Sequence, residues 1–128
     1  MKQTIMVITV ALIFSAHLSA APDAVELMMN EYQAQGASAS SSEQGRKLWQ
    51  TETNGRSCTN CHTDDPRAQG RHQKTGKAIE ALAPSVNTKR LTKTKTIRKW
   101  LKRNCKWTFG QECTAQQKGD FLAWLRQQ

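Results

Sequence analysis

Residues 58–62 read Cys58-Thr59-Asn60-Cys61-His62 and carry the strongest structural signal in the sequence. Two cysteines separated by two residues and followed directly by a histidine form the C-x-x-C-H pattern, which is typical of covalent haem attachment. Cys58 and Cys61 would form thioether bonds to the porphyrin, and His62 would ligate the iron from the proximal side. The motif therefore predicts a single covalently bound haem c, around which a short chain has to fold.

The cysteine pair could also be a thioredoxin-like redox pair or part of a zinc site. A thioredoxin-like redox pair would lie in a β-α-β pattern, and no such pattern surrounds Cys58 and Cys61. A structural zinc site usually takes a second ligand pair at short spacing, whereas Cys105 and Cys113 are eight positions apart. Haem attachment is therefore the favoured interpretation.

The first 21 residues differ in composition from the rest of the chain. Lys2 precedes a largely apolar run over 5–14, and small side chains follow over 15–21. This order is that of a secretory signal peptide, and the run is shorter than the roughly 20 apolar residues that a membrane-spanning helix needs. We therefore predict a signal peptide over 1–21 and a single exported cytochrome domain over 22–128, soluble in the periplasm. An uncleaved membrane anchor is the alternative.

The charge of the chain is strongly positive, with 19 Lys and Arg against 10 Asp and Glu. Between Arg71 and Lys106 there are twelve basic residues and one acid, Glu80. Such a surface attracts anionic partners. We predict an acidic redox partner and no nucleic acid, because an exported chain rarely meets nucleic acid and no aromatic-rich recognition motif interleaves these charges. A solvated basic surface without a specific partner is the competing interpretation.

Helical periodicity predicts two helices before the haem motif. Apolar residues recur at spacings of three and four within 22–36, namely at Val25, Met28, Met29 and Tyr32. The Ser- and Ala-rich stretch 37–42 is expected to be a linker, so 22–42 forms an extension of the domain. A second helix is expected over 42–50, packed beside the haem motif.

The remaining helices are predicted at and after the motif. A short helix is expected within 57–62, and a longer one over 91–104 with an apolar face of Ile97, Trp100, Leu101 and Cys105. Thr114 and Gln117 fit a capping box at the start of the last helix. No segment alternates as a β-strand does. The fold class is therefore all-α, with about four to five helices wrapped around one haem.

We do not expect the second axial ligand of the iron to be the methionine usual in small cytochromes c. The four methionines are Met1, Met6, Met28 and Met29, and none follows His62. The candidates after the motif are His72, Asn87, Lys89 and neighbouring lysines, or no protein ligand. On the residues alone, His72 and an open or weakly ligated iron are equally favoured.

Cys105 and Cys113 remain once the haem takes the other two cysteines. Eight positions apart in an oxidising compartment, they are expected to form a disulfide that joins the end of one helix to the start of the next. Two buried thiols are the alternative.

From Cys58 onward the chain resembles the sphaeroides haem protein (SHP) family of high-spin class I c-type cytochromes. The resemblance rests on CTNCHTDDPRAQGRH over 58–72, TGKAIEALAPSVNTKRLT over 75–92 and KWLKRNCKWTFGQECTAQQKGDFLAWL over 99–125. It implies a small class I cytochrome c-like fold, with Asn87 as the distal ligand of the iron and a disulfide between Cys105 and Cys113. Related cytochromes c″ use a second histidine, and no histidine follows His72 here, which favours the asparagine type.

The resemblance also implies a function. The expected protein transfers electrons and has a displaceable Asn87 ligand that permits oxygen or nitric oxide to bind at the reduced haem iron. A dihaem cytochrome c and a membrane b-type cytochrome are the implied partners, and an acidic partner would suit the surface of Arg98, Lys99, Lys102 and Arg103. A plain electron shuttle and a haem enzyme that reduces a small oxidised molecule are the alternatives. No general acid is identifiable near Asn87, which argues against the enzyme.

Overall fold

A computed structural model describes residues 23–128, and the predicted signal peptide over 1–21 lies outside them. The elements in chain order are α1 (Ala24–Ala34), α2 (Ser42–Gln50), α3 (Thr59–His62), β1 (Gly70–Arg71), β2 (Ala78–Ile79), α4 (Thr94–Phe109) and α5 (Ala115–Leu125). The predicted all-α class is confirmed. Within the described residues, no helix is both long and apolar enough to cross a bilayer.

Side-chain caps fix where three of the helices begin. The Asp23 carboxylate accepts a hydrogen bond from Glu26 N at 2.8 Å ahead of α1, and Ser41 Oγ accepts from Gln44 N at 3.2 Å ahead of α2. Such caps satisfy backbone N–H groups that have no partner within the helix. The capping box predicted for Thr114 and Gln117 is confirmed, because each side chain accepts from the other residue's backbone N–H.

Helix α4 differs from its prediction at both ends and on its buried face, and it begins at Thr94, three residues after the predicted start. It continues five residues past Asn104, to Phe109, and ends at Gly110, whose φ of 75° is the left-handed conformation common after a helix. Trp100 was expected on the buried face but is 45% exposed. The buried stripe runs through Ile97, Cys105 and Thr108. Trp100 lies about a quarter turn from the centre of that stripe at 3.6 residues per turn.

Helices α2 and α5 cross in direct backbone contact, and this contact organises the domain. A methyl group at Gly45 of α2 would overlap the backbone carbonyl of Asp120 in α5. The side chain of Asp120 is buried and accepts hydrogen bonds from Ser41 N at 2.7 Å and Gln116 Nε2 at 2.9 Å. Glycine is therefore required on the α2 side of the crossing.

Two clusters of apolar side chains form the core. The first joins α2, α4 and α5 and includes Trp49, Phe121 and Trp124. The second docks α1 onto α4 and α5 through Met28, Ile97 and Leu122, among others, with Met28 completely buried. Cys105 and Cys113 belong to the first cluster and are joined in a disulfide, which ties the last part of α4 to the residue just before the Thr114 cap of α5.

Strands β1 and β2 form a short antiparallel hairpin that periodicity did not predict. Gly70 pairs with Ile79 and Arg71 pairs with Ala78. Two residues per strand are too few for an alternating pattern to be visible in the sequence. The hairpin packs against α3 and therefore supports the haem motif.

Candidate haem site

The C-x-x-C-H motif lies on the single turn of α3, which local hydrogen bonds define. The side-chain oxygen of Asn60 accepts from both the backbone N–H and the hydroxyl of buried Ser57. His62 N donates to Cys58 O at 3.0 Å, which closes the turn and brings both cysteines and the histidine together. The turn ends at Thr63, whose φ of 64° is unusual for a residue with a branched side chain.

Trp49 holds the strained end of this turn. Its indole Nε1 donates to Thr63 O at 3.0 Å, and Thr63 Oγ1 donates to Asp65 O at 2.8 Å. The Trp49 ring also lies beside the His62 ring, with 5.6 Å between their centroids. The prediction that α2 packs beside the haem motif is therefore confirmed, and Trp49 is the residue that makes the contact.

Gly70 brings the hairpin into backbone contact with α3. The residue is buried, and a methyl group there would overlap the carbonyl of Cys61 and lie 3.1 Å from the Cα of His62. The next turn of the hairpin reaches the motif as well, because Gln73 N donates to Cys61 Sγ at 3.4 Å. The polypeptide thus encloses α3 from two sides, through Trp49 and through the hairpin.

His62 has the chemical state that an iron ligand requires. Burial, with a smaller contribution from the positive charge of Arg90, lowers the pKa of His62 to about 4. The imidazole is therefore neutral at pH 7 and has a lone pair to donate. Among residues 23–128 no side chain or backbone group forms a hydrogen bond with this ring. A nitrogen of His62 is consequently unclaimed and fits the iron of a haem.

The two motif cysteines have the state that thioether formation requires. Neither forms a disulfide, although the other cysteine pair of the chain does. Burial raises the pKa of Cys58 to about 11, so its sulfur is held as a thiol in an apolar environment. Leu82, Leu91 and Leu101 pack against the core and remain only partly buried, which leaves apolar surface near the motif for a porphyrin.

Asn87 lies in a loop that its own amide holds together. Nδ2 donates to Glu80 Oε2 at 3.1 Å and to Ala81 O at 3.3 Å, while Oδ1 accepts from Lys89 N at 3.2 Å. An amide has two N–H donors and two oxygen lone pairs. Both donors and one lone pair are used, so one lone pair of Oδ1 remains for a further partner.

Arg90 connects this loop to the rest of the site. Its guanidinium donates to Ala81 O and Glu80 O, both at 2.9 Å. Its positive charge is also close enough to His62 to lower the pKa of that imidazole. No acid was identifiable near Asn87 from the sequence, whereas the structure places Glu80 in contact with it. The only signal in the sequence was that Glu80 is the one acid in a long basic stretch.

His72, the other distal candidate, lies in the turn of the hairpin. Its ring is exposed, and Nδ1 accepts a hydrogen bond from Thr75 N at 3.1 Å. It lines a cavity of about 450 Å³ together with Cys61 and Trp107. One ring nitrogen of His72 is thus already used to stabilise the turn of the hairpin.

Fold and site together define the class of small c-type cytochromes with one haem c. Residues 35–125 match a family described as "Domain of unknown function (DUF1924)". The chain is 41% identical over 102 residues to the cytochrome c-type protein SHP of Cereibacter sphaeroides, an alignment that covers 76% of this chain and 78% of that protein. The chain accordingly belongs to the SHP family of c-type cytochromes.

Two solved structures resemble the fold closely. The structure of oxidised SHP, described as an oxygen-binding cytochrome c, has a TM-score of 0.75 and 38% sequence identity, and the match covers 81% of this chain and 96% of that one. The solution structure of cytochrome c″ from Methylophilus methylotrophus has a TM-score of 0.69 and 29% identity, covering 81% and 93%. The predicted class I cytochrome c-like fold and its haem c are thereby confirmed.

Proposed function

We propose that this chain is an exported, periplasmic monohaem cytochrome c that transfers electrons and binds oxygen or nitric oxide when reduced. In this proposal Cys58 and Cys61 attach the haem, His62 is the proximal ligand, and Asn87 is a displaceable distal ligand. The bound haem supplies a redox-active iron with a coordination position that a small diatomic molecule can occupy.

The observation that carries this proposal is the hydrogen bonding of the Asn87 amide. Both Nδ2 hydrogens are held by Glu80 and Ala81, so the amide oxygen is oriented and retains one lone pair. A neutral amide oxygen is a weak ligand compared with a methionine sulfur or a histidine nitrogen. The side chain would therefore ligate iron in the oxidised protein and leave on reduction, when the iron carries less charge.

Two relatives support a labile distal position. The SHP structure is described as that of an oxygen-binding cytochrome c. The solution structure of cytochrome c″ is described as giving insight into haem-ligand detachment. His72 is the weaker distal candidate here, because its ring is exposed and held in the hairpin turn.

Absorption spectra of Asn87→Ala and His72→Ala, measured against the wild-type holoprotein, test the distal ligand. We expect Asn87→Ala to change the ferric spectrum and His72→Ala to leave it unchanged, because the Asn87 oxygen is oriented and retains a lone pair, whereas the exposed His72 ring is held in the hairpin turn through Nδ1. The reduced wild type should be high-spin and bind carbon monoxide rapidly. A low-spin reduced spectrum that carbon monoxide does not change would contradict the proposal and favour a plain electron shuttle.

Electron transfer requires a partner protein, and we propose that this partner is an acidic redox protein. The basic surface of α4 would attract it by long-range electrostatics. A dihaem cytochrome c together with a membrane b-type cytochrome is the partner set that the family implies. The ion pairs of this surface determine which of its cations are available to a partner.

A further inference from the structure

The outer face of α4 exposes two tryptophans, Trp100 and Trp107, which are 45% and 38% exposed. They are seven positions apart, which places them on one face of the helix, two turns from each other. Scattered exposed apolar residues are normal, but two large aromatic side chains aligned on one helix face mark an interaction surface.

Cations cover both indole rings. Lys99 Nζ lies 5.5 Å and the Arg103 guanidinium 5.2 Å from the centroid of Trp100. The Arg56 guanidinium lies 5.2 Å from the centroid of Trp107 and also donates to Trp107 O at 3.1 Å. We name these five residues the indole stripe.

The cations of the indole stripe differ from three other cations of α4 in having no carboxylate partner. Arg98 forms an ion pair with Glu31, and Lys102 and Lys106 lie 3.5 Å and 3.4 Å from Glu112 Oε1. Among residues 23–128, no carboxylate forms a salt bridge with Arg56, Lys99 or Arg103. Lys99 and Arg103 therefore combine an indole contact with a charge that no carboxylate of the described residues pairs.

The stripe ends at the proposed haem attachment. Trp107 and Arg56 line the same cavity of about 450 Å³ that Cys61 lines. A protein seated on the stripe would thus approach the covalently attached edge of the cofactor.

We propose that the indole stripe is the docking site for an acidic surface of the redox partner protein, an inference that rests on the proposed electron-transfer function. Trp and Arg are the residues most enriched at the energetic centres of protein interfaces. Carboxylates of the partner would pair with Lys99, Arg103 and Arg56, and the indoles would supply the apolar contact. A lipid surface is a poorer fit, because an interfacial helix presents a broad apolar face and the face around these indoles is charged.

Stopped-flow reduction of the holoprotein by reduced flavodoxin, a small acidic one-electron flavoprotein, tests this docking site. The variant Lys99→Gln/Arg103→Gln should lower the second-order rate constant at low salt about tenfold, because electrostatic steering sets such rates. The matched control Arg98→Gln/Lys102→Gln removes the same charge from the same helix, but from ion-paired positions, and should lower it less than about threefold.

The variant Trp100→Ala/Trp107→Ala separates the contribution of the apolar indole contact from that of the positive charges. It should lower the rate constant while leaving its dependence on salt unchanged. Equal losses in the two charge variants would overturn the proposal in favour of a diffuse field, and so would wild-type-like rates in the tryptophan variant. The proposal would also be overturned if the wild type bound vesicles containing phosphatidylserine and the tryptophan variant did not. Carbon monoxide binding and ferric spectra of all variants report the Asn87 site separately, so failure of the two proposals can be told apart.

Discussion

Glu80 sets the orientation of the Asn87 amide although it is itself exposed. Its carboxylate accepts from Nδ2 at 3.1 Å, and the same nitrogen donates to Ala81 O. Outer hydrogen bonds of this kind orient metal ligands and strengthen them as donors. Asn87 should therefore lose ligand strength when Glu80 is removed, even though Glu80 would not touch the iron.

We expect Glu80→Ala to raise the affinity of the ferric protein for added imidazole about fivefold, since one hydrogen bond is worth about 1 kcal/mol. A spectrophotometric imidazole titration measures this change. Glu80→Gln keeps an acceptor oxygen and should show a smaller effect, and Glu52→Ala removes another exposed charge and should show none. If Glu80→Ala has the same effect in the Asn87→Ala background, Glu80 acts on the iron site by its charge and not through Asn87.

At the scale of the elements, the crossing of α2 and α5 depends on Gly45. Because a methyl group there would overlap the Asp120 carbonyl, the helices would have to move apart. We expect Gly45→Ala to lower the free energy of unfolding by about 1–3 kcal/mol, the usual cost of overpacking. Urea unfolding followed by circular dichroism measures it. Gln44→Ala, next to it but exposed, is the control, and an equal loss there would show that the crossing is not the cause.

The elements show why sequence reasoning predicted some boundaries and missed others. Helix α2 begins and ends at the predicted residues, and the predicted Thr114 cap precedes α5. Both predictions succeeded because caps and linkers are encoded by residues next to each other in the sequence. The prediction that Trp100 is buried was wrong because a residue three positions from Ile97 lies at one edge of the helix face that contains Ile97. Which edge is buried depends on how α1 and α5 pack against α4, and the sequence spacing does not show this. The contact between Glu80 and Asn87 depends on a loop shape that Arg90 imposes through backbone carbonyls, and no spacing rule encodes it.

At the scale of the whole molecule, α1 is an added layer whose docking can be followed through one side chain. Tyr32 is the single tyrosine of the chain and is 4% exposed between α1 and the rest of the domain. Burial raises the pKa of Tyr32 from 10.0 to about 12. Because the folded pKa is the higher one, the stability that this group contributes is complete below pH 10 and is lost as the pH rises through about 12.

A near-ultraviolet pH titration of tyrosinate should therefore give a midpoint near 12 in the folded protein. Met28→Ala, which removes the completely buried side chain of α1, should shift this midpoint towards 10 by letting the helix detach. A wild-type midpoint near 10 would contradict the docking of α1. Leu27→Ala, on the exposed side of the same helix, is the control and should leave the midpoint unchanged.

The enclosure of α3 has a consequence for the biogenesis of the protein. Trp49 closes over the end of the motif through Thr63, and Gly70 presses the hairpin onto the Cys61 carbonyl, so the folded polypeptide covers α3 from two sides and Cys58 packs against the core. An enzyme that joins haem to Cys58 and Cys61 would have to reach both before these contacts form. The chain would therefore emerge from export unfolded, receive its cofactor as an open segment, and only then fold around it.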